Sequence, residues 1–206
     1  RQHGTGTLVS SAGTKVKGRW KDGKKVDASQ NPSKTAGSSG TGFYVSHEGH
    51  VVTNSHVVDG CQQINISHNG VKLRASMVVN DRVNDLAILR VSTQPHTIVY
   101  FREGGGIRPG EDILAFGYPL GGLLSDELKG NKGMINALSG LSNDSRFVQM
   151  SAPIQPGNSG GPIVNLKGEV IGITTWSIRV FENEIWVGLN FAIPIDGAKP
   201  FIEDTI

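Results

Sequence analysis

Gln155-Pro-Gly-Asn-Ser-Gly-Gly-Pro162 sets one hydroxyl, that of Ser159, among three glycines, with a proline on each side. Glycine lets backbone approach closely and reaches dihedral angles closed to other residues. A loop of this composition can present Ser159 with main-chain N–H groups converging on one point. Acyl transfer asks for that around a nucleophile. An ordinary tight turn can have the same composition, so the rest of the chain has to decide.

Gly157-Asn-Ser-Gly-Gly161 also fits Gly-x-Ser-x-Gly, the strand-to-helix elbow of α/β-hydrolases. That fold needs its histidine after the serine. All six histidines (His3, His47, His50, His56, His68 and His96) come before it. Strands alternating with helices are missing too. From Thr41 onward the chain reads as short runs rich in Val, Ile, Phe and Thr: TGFYVS, HVVTNSHVV, QINIS, LAILRV, DILAFGYP, FVQMS, EVIGITTW and IWVGLNFAIP. Such runs, parted by turn residues, predict an all-β barrel or sandwich. KGNKG (129–133) and EGGGIRPGED (103–112) read as loops, and a division into two halves falls near residues 95–108. The closing IDGAKPFIEDTI predicts a short helix capped by Asp196, weakened by Pro200.

The remaining chain order is His, Asp, Ser. His56 lies in VVTNSHVV, at the expected end of a strand, and Asp85 in NDLAILR, just before one. Asp81 competes with Asp85, but no apolar strand follows it directly. Each of these residues also has an ordinary reading. Histidines beside strands are more often satisfied core or surface groups, and Asp85 could cap a turn after Asn84. The order and the glycine frame together favour the catalytic reading.

Composition narrows the classes. The 206 residues suffice for one sizeable domain or two small halves. A net charge of +2 argues for neither a nucleic-acid partner nor a membrane surface. One cysteine, Cys61, makes no intrachain disulfide and is too few for a usual structural zinc site; it reads as a buried small apolar group. No stretch approaches the length of a membrane span. The chain starts at Arg1 without the shape of a signal peptide, and reads as a piece of a longer protein or a processed form. No cofactor or metal is called for.

The three stretches around His56, Asp85 and Ser159 resemble the trypsin-like serine proteases, most closely their HtrA (Deg) branch. SGTGFYVSHEGHVVTNSHVV is similar to that branch's first barrel. FGYPLGG, GMINALSG, FVQMSAPIQPGNSGGPIVNLKGEVIGI and GLNFAIPID are similar to its second, in order, so the resemblance covers about residues 38–200. It implies a trypsin-like double β-barrel, 41–98 and 108–206, with the active site between the barrels. It implies a serine endopeptidase acting on proteins or peptides, with His56, Asp85 and Ser159 as the triad and the N–H groups of Gly157 and Ser159 as the oxyanion hole. The specificity pocket is then expected at Pro153 and Ile154 for its floor, with Thr174, Thr175 and Trp176 on one wall and Asn190 on the other. No acid stands at that floor, so small or medium aliphatic side chains are expected; Glu182 and Glu184, in a loop between the walls, are the acids that could change this. An inactive, protein-binding relative of the same fold is the alternative. The branch points to a bacterial cell envelope, and the oligomeric state stays open.

Ahead of this, His3–Val26 (HGTGTLVSSAGTKVKGRWKDGKKV) resembles a MORN repeat, a β-hairpin unit that stacks in arrays, with Asp22-Gly23 as its turn. The expected boundaries are 1–27 for this partial repeat and 28–40 for a linker. A scaffold tethered through such repeats is a further alternative function.

Overall fold

Two strands in the first half are buried at almost every position, and this decides where they sit. β5 (His50–Thr53) and β8 (Leu86–Val91) pair antiparallel at the centre of a five-stranded sheet. Successive side chains of a strand point to opposite faces. Val52, Leu86 and Ile88 accordingly enter one apolar cluster, while Val51, Ala87, Leu89 and Val91 enter another on the opposite face. Both faces are covered, so the run LAILRV shows no polar alternation.

A computed structural model describes residues 4–9, 15–21, 24–26, 38–119, 127–182 and 185–206. The sheet of the first half has the order β4 (Phe43–Tyr44), β5, β8, β7 (Val71–Asp81) and β6 (Ile64–His68). A one-turn helix, α1 (Ser55–Val58), follows β5. The second half is a closed six-stranded barrel. Its strands run in the order β10 (Lys129–Ala137), β11 (Val148–Met150), β14 (Ile185–Pro194), β13 (Val170–Glu182), β12 (Pro162–Val164) and β9 (Asp112–Gly117). Ile113, Ala115, Ile135, Val148, Met150 and Ile171 fill its interior.

The cluster holding Val52, Leu86 and Ile88 also takes in Val170, Ile173, Ile193 and Ile195, so one core joins the two halves. The C-terminal helix α2 (Ile195–Glu203) packs Ile195, Ala198 and Ile202 into it, one face of a helix. Its N-cap is Pro194, not Asp196, and Pro200 lies inside it. Burial of that face outweighs the proline's missing N–H.

Several expectations are corrected. KGNKG is not a loop: it opens β10, with Lys129 to Gly133 paired along β9. A Cβ on Gly130 would meet the Phe116 ring at 2.7 Å, and one on Gly133 would collide with the Ala152 backbone. These glycines serve close packing inside a strand. FENEIW is largely strand rather than loop, with Glu182 ending β13 and Ile185 starting β14; Glu184 lies outside the described residues. Cys61 is exposed, because Val57 and Val58 take the inward positions of the preceding turn.

Residues 1–37 form a separate unit. Within it β1 (Gly4–Val9), β2 (Lys15–Lys21) and β3 (Lys24–Val26) make an antiparallel three-stranded sheet. The Asp22-Gly23 turn and most of the 28–40 linker lie outside the described residues.

Candidate active site

His56 sits on α1, one turn beyond the end of β5 rather than on the strand. Asp85 precedes β8 and holds the left-handed conformation at φ 56°, which is uncommon for a residue with a side chain. Its carboxylate is strongly engaged. Oδ1 accepts the His56 backbone N–H at 2.9 Å, and His56 Nδ1 lies 2.9 Å from Oδ1 and 2.8 Å from Oδ2. The Thr175 hydroxyl donates to Oδ2 at 2.6 Å. An ionised carboxylate only accepts, so Nδ1 of His56 carries a proton, and in the neutral tautomer the lone pair is on Nε2. The His56 side chain is 47% exposed and that of Asp85 17%, so the carboxylate is sheltered and the imidazole is open. Burial pushes the Asp85 carboxyl up, but the hydrogen bonds from His56 and Thr175 together outweigh it and hold the group below the usual carboxylate range.

Asp81 has a different task. Its Oδ1 caps the N–H groups of Val83 and Asn84 at 2.9 and 3.1 Å, and its Oδ2 accepts Asn84 Nδ2 at 2.6 Å. That is a side chain closing its own turn.

Asn54, which the sequence reading passed over, is fully buried and donates Nδ2 to the Asp85 carbonyl at 2.9 Å. It therefore braces the left-handed residue. The signal for it was a polar residue between an apolar strand and His56.

The loop that carries Ser159 is built differently. Asn158 N–H donates to the Gln155 carbonyl at 3.0 Å, with Pro156 second and Gly157 third in the turn at φ 102°. Proline then a positive-φ glycine is the type II β-turn. Gly157 and Ser159 donate their N–H groups to no acceptor among the described residues. Gly160 N–H donates to Thr174 O, Thr174 N–H to Gly161 O, and Thr41 N–H to Ser159 O, each at 2.8 Å. A Cβ on Gly160 would collide with the Thr41 carbonyl, and one on Gly161 with that of Phe116. The glycines thus let one loop pass between backbone from both halves.

Ser159 Oγ donates to the Thr175 carbonyl at 2.6 Å, and no hydrogen bond joins it to His56. Thr175 therefore touches both ends of the site, Asp85 through its hydroxyl and Ser159 through its carbonyl.

The expected pocket residues divide. Thr174 is wholly buried, and the Thr175 hydroxyl is engaged by Asp85, so neither side chain forms an open wall. The reason is a bulge: β13 takes three steps from Thr174 to Ser177 while β14 takes two from Ala192 to Asn190. Two successive residues then face inward, as bulges beside active sites allow. Trp176 is half-buried against Phe191, ring centroids 4.2 Å apart, with Phe147 edge-on at 5.7 Å. Ile154 is half-buried against the second barrel's core. Asn190 donates to Ala152 O at 3.0 Å and Asn131 to Pro153 O at 2.8 Å, which ties down the expected floor. A cavity of about 460 Å³ lined by Asn84, Leu86, Leu138 and Arg146 contains neither His56 nor Ser159. Among the described residues no three His, Cys, Asp or Glu side chains are grouped to hold a metal ion.

Comparison with known proteins gives the family. Residues 40–173, more than half of the chain, match the family described as Trypsin-like peptidase domain. An uncharacterized protein of Sinorhizobium fredii, y4bJ, is 47% identical over 79% of this chain and 26% of its own length. A probable periplasmic serine endoprotease, DegP-like, of Halomonas elongata is 37% identical over 82% of this chain and 35% of its own. The chain thus spans about a quarter to a third of these curated relatives. The solved serine endoprotease from Yersinia pestis superposes with a TM-score of 0.71 at 32% identity, covering 85% of this chain and 60% of that one. Fold, chain order and family pattern agree: the chain belongs to the trypsin-like peptidases and is of the HtrA (Deg) type.

Proposed function

We propose that this domain is a serine endopeptidase in which Ser159 attacks, His56 is general base and then acid, and Asp85 orients and stabilises the imidazolium. The observation that carries the reading is the Asp85–His56 pair, linked to the glycine-framed serine through Thr175, whose hydroxyl donates to Asp85 and whose carbonyl accepts Ser159. Ser159 first leaves the Thr175 carbonyl by a rotation about χ1, between staggered wells. Its proton then passes to His56 Nε2 as Oγ bonds to the substrate carbonyl carbon. The displaced electron pair collects on the carbonyl oxygen, facing the N–H groups of Gly157 and Ser159. The C–N bond breaks as His56 returns the proton to the amine. Water, activated by the same ring, then releases the acid and restores Ser159.

With Ile154 and Asn190 at the pocket and no carboxylate among residues 151–154, the domain accepts small or medium aliphatic side chains and disfavours Lys and Arg. An unpaired buried cation costs several kcal/mol. The relatives' periplasmic naming supports a bacterial cell envelope as its place. Residues 1–27 are read as a partial MORN-like unit, supported by the three-stranded sheet there.

One observation favours a second reading, a protein-binding module that does not cleave: the Ser159 hydroxyl is bound to Thr175 O, away from His56. Digesting an unfolded protein with the purified chain and with Ser159→Ala separates the two. The endopeptidase reading predicts aliphatic cleavage sites and a loss on the order of 10⁶ in kcat for the variant. No cleavage by the unsubstituted chain, or equal cleavage by both, contradicts it. A dominant preference for Lys or Arg contradicts the pocket assignment.

A further inference from the structure

Thr41 lies ahead of β4 and carries no chemistry of its own, yet it grips the loop that carries Ser159 at two points. Its N–H donates to the Ser159 carbonyl at 2.8 Å, and its hydroxyl donates to the Gly157 carbonyl at 2.7 Å. The same oxygen accepts the Tyr118 N–H at 3.0 Å, and the Thr41 carbonyl accepts the Thr53 hydroxyl at 2.7 Å. The residue is 4% exposed. A hydroxyl has one proton to give. With that proton on Gly157 and a lone pair taken by Tyr118, the Thr41 rotor has a single satisfied orientation.

Gly157 needs such a hold. Its φ of 102° sets where its N–H points, and glycine leaves that conformation at little cost. The bond from Asn158 N–H to Gln155 O fixes one side of the turn. The Thr41 hydroxyl fixes the other end of that same peptide group, by pinning the carbonyl of Gly157 itself. Gly117 closes the space around it: a Cβ there would stand 3.1 Å from Thr41 Oγ1 and 2.8 Å from Asn158 Oδ1.

We propose that Thr41 is a positioning residue: a hydroxyl from the first half holds the Gly157–Ser159 loop of the second half with both N–H groups aimed at the oxyanion. This rests on the reading of those N–H groups as oxyanion donors. The oxyanion develops only in the transition state, so losing the hold lowers kcat and leaves KM nearly unchanged.

The test is steady-state cleavage of a peptide substrate by the full chain and by Thr41→Val and Thr41→Ser, each measured well below its thermal midpoint. Removing one oxyanion donor costs roughly 10²–10³ in kcat in other acyl-transfer enzymes. Thr41→Val is expected to lose on the order of 10² in kcat, with KM within about threefold. Thr41→Ser keeps the hydroxyl and is expected to recover to within about fivefold of the unsubstituted chain. If Thr41→Val does not fold, Thr41→Ala removes the same hydroxyl without crowding and is read the same way. Folded Val or Ala variants with unchanged kcat overturn the proposal, as does a Ser variant as impaired as Val. Those results leave the endopeptidase reading standing; an unsubstituted chain that cleaves nothing removes both.

Discussion

The two ends of the candidate site are held in opposite ways. At the acid end, side chains do the holding: Thr175 and His56 donate to the Asp85 carboxylate, and Asn54 braces its backbone. At the Ser159 end, what matters is the lack of side chain. Gly160 and Gly161 let the loop thread between Thr41 and Phe116. The acid end should therefore be sensitive to losing a charge or a donor, and the Ser159 end to gaining an atom.

The largest effect expected at the acid end comes from Asp85→Asn. The amide keeps the shape but favours the wrong tautomer of His56, and a loss on the order of 10⁴ in kcat follows from the behaviour of such triads. Asp81→Asn should stay within about threefold, since Asp81 only closes its own turn. Peptide-cleavage kinetics on both variants decide, and the reverse ranking would mean that Asp81 is the working carboxylate.

At the Ser159 end, Gly160→Ala adds a single methyl. It meets the Thr41 carbonyl, at a residue with φ 85°. Overpacking and the left-handed conformation together should destabilise the fold by about 2–5 kcal/mol. Denaturant unfolding measures it. A change under about 0.5 kcal/mol would show that the loop has slack and that the contrast between the two ends is false.

The smallest effect is in the pH dependence of stability. Asp85 is held below its ordinary value, so its contribution is complete above about pH 3.9 and is lost as pH falls through its lower folded value. The thermal midpoint of the unsubstituted chain should exceed that of Asp85→Asn near pH 6, and the gap should close in acid. A gap independent of pH would assign the difference to shape rather than charge.

The contrast also explains what was legible in the sequence. The Ser159 end shows in composition, because missing side chains are visible as glycines. His56 and Asp85 show through their places beside the apolar runs of β5 and β8. Four features were hidden. β7 mixes exposed Val71, Met77 and Val78 with Lys72 and Arg74, so its pattern has no clean period. Lys129–Gly133 resembles a loop because its glycines answer to Phe116 and Ala152, residues distant in the chain. Thr174 and Thr175 read as an ordinary alternating strand, and the bulge that turns both inward is a matter of register with β14. Thr41 is a fourth case: its neighbours at Gly157, Ser159 and Tyr118 come together only in the folded chain.

The most direct test of the account is whether Ser159 is chemically activated. The purified chain is treated with a fluorophosphonate near neutral pH, and the modified residue is located by peptide mass spectrometry. The account predicts one labelled residue, Ser159, with labelling abolished in Ser159→Ala and slowed by orders of magnitude in Asp85→Asn. An unlabelled Ser159, or labelling indifferent to Asp85, would contradict it.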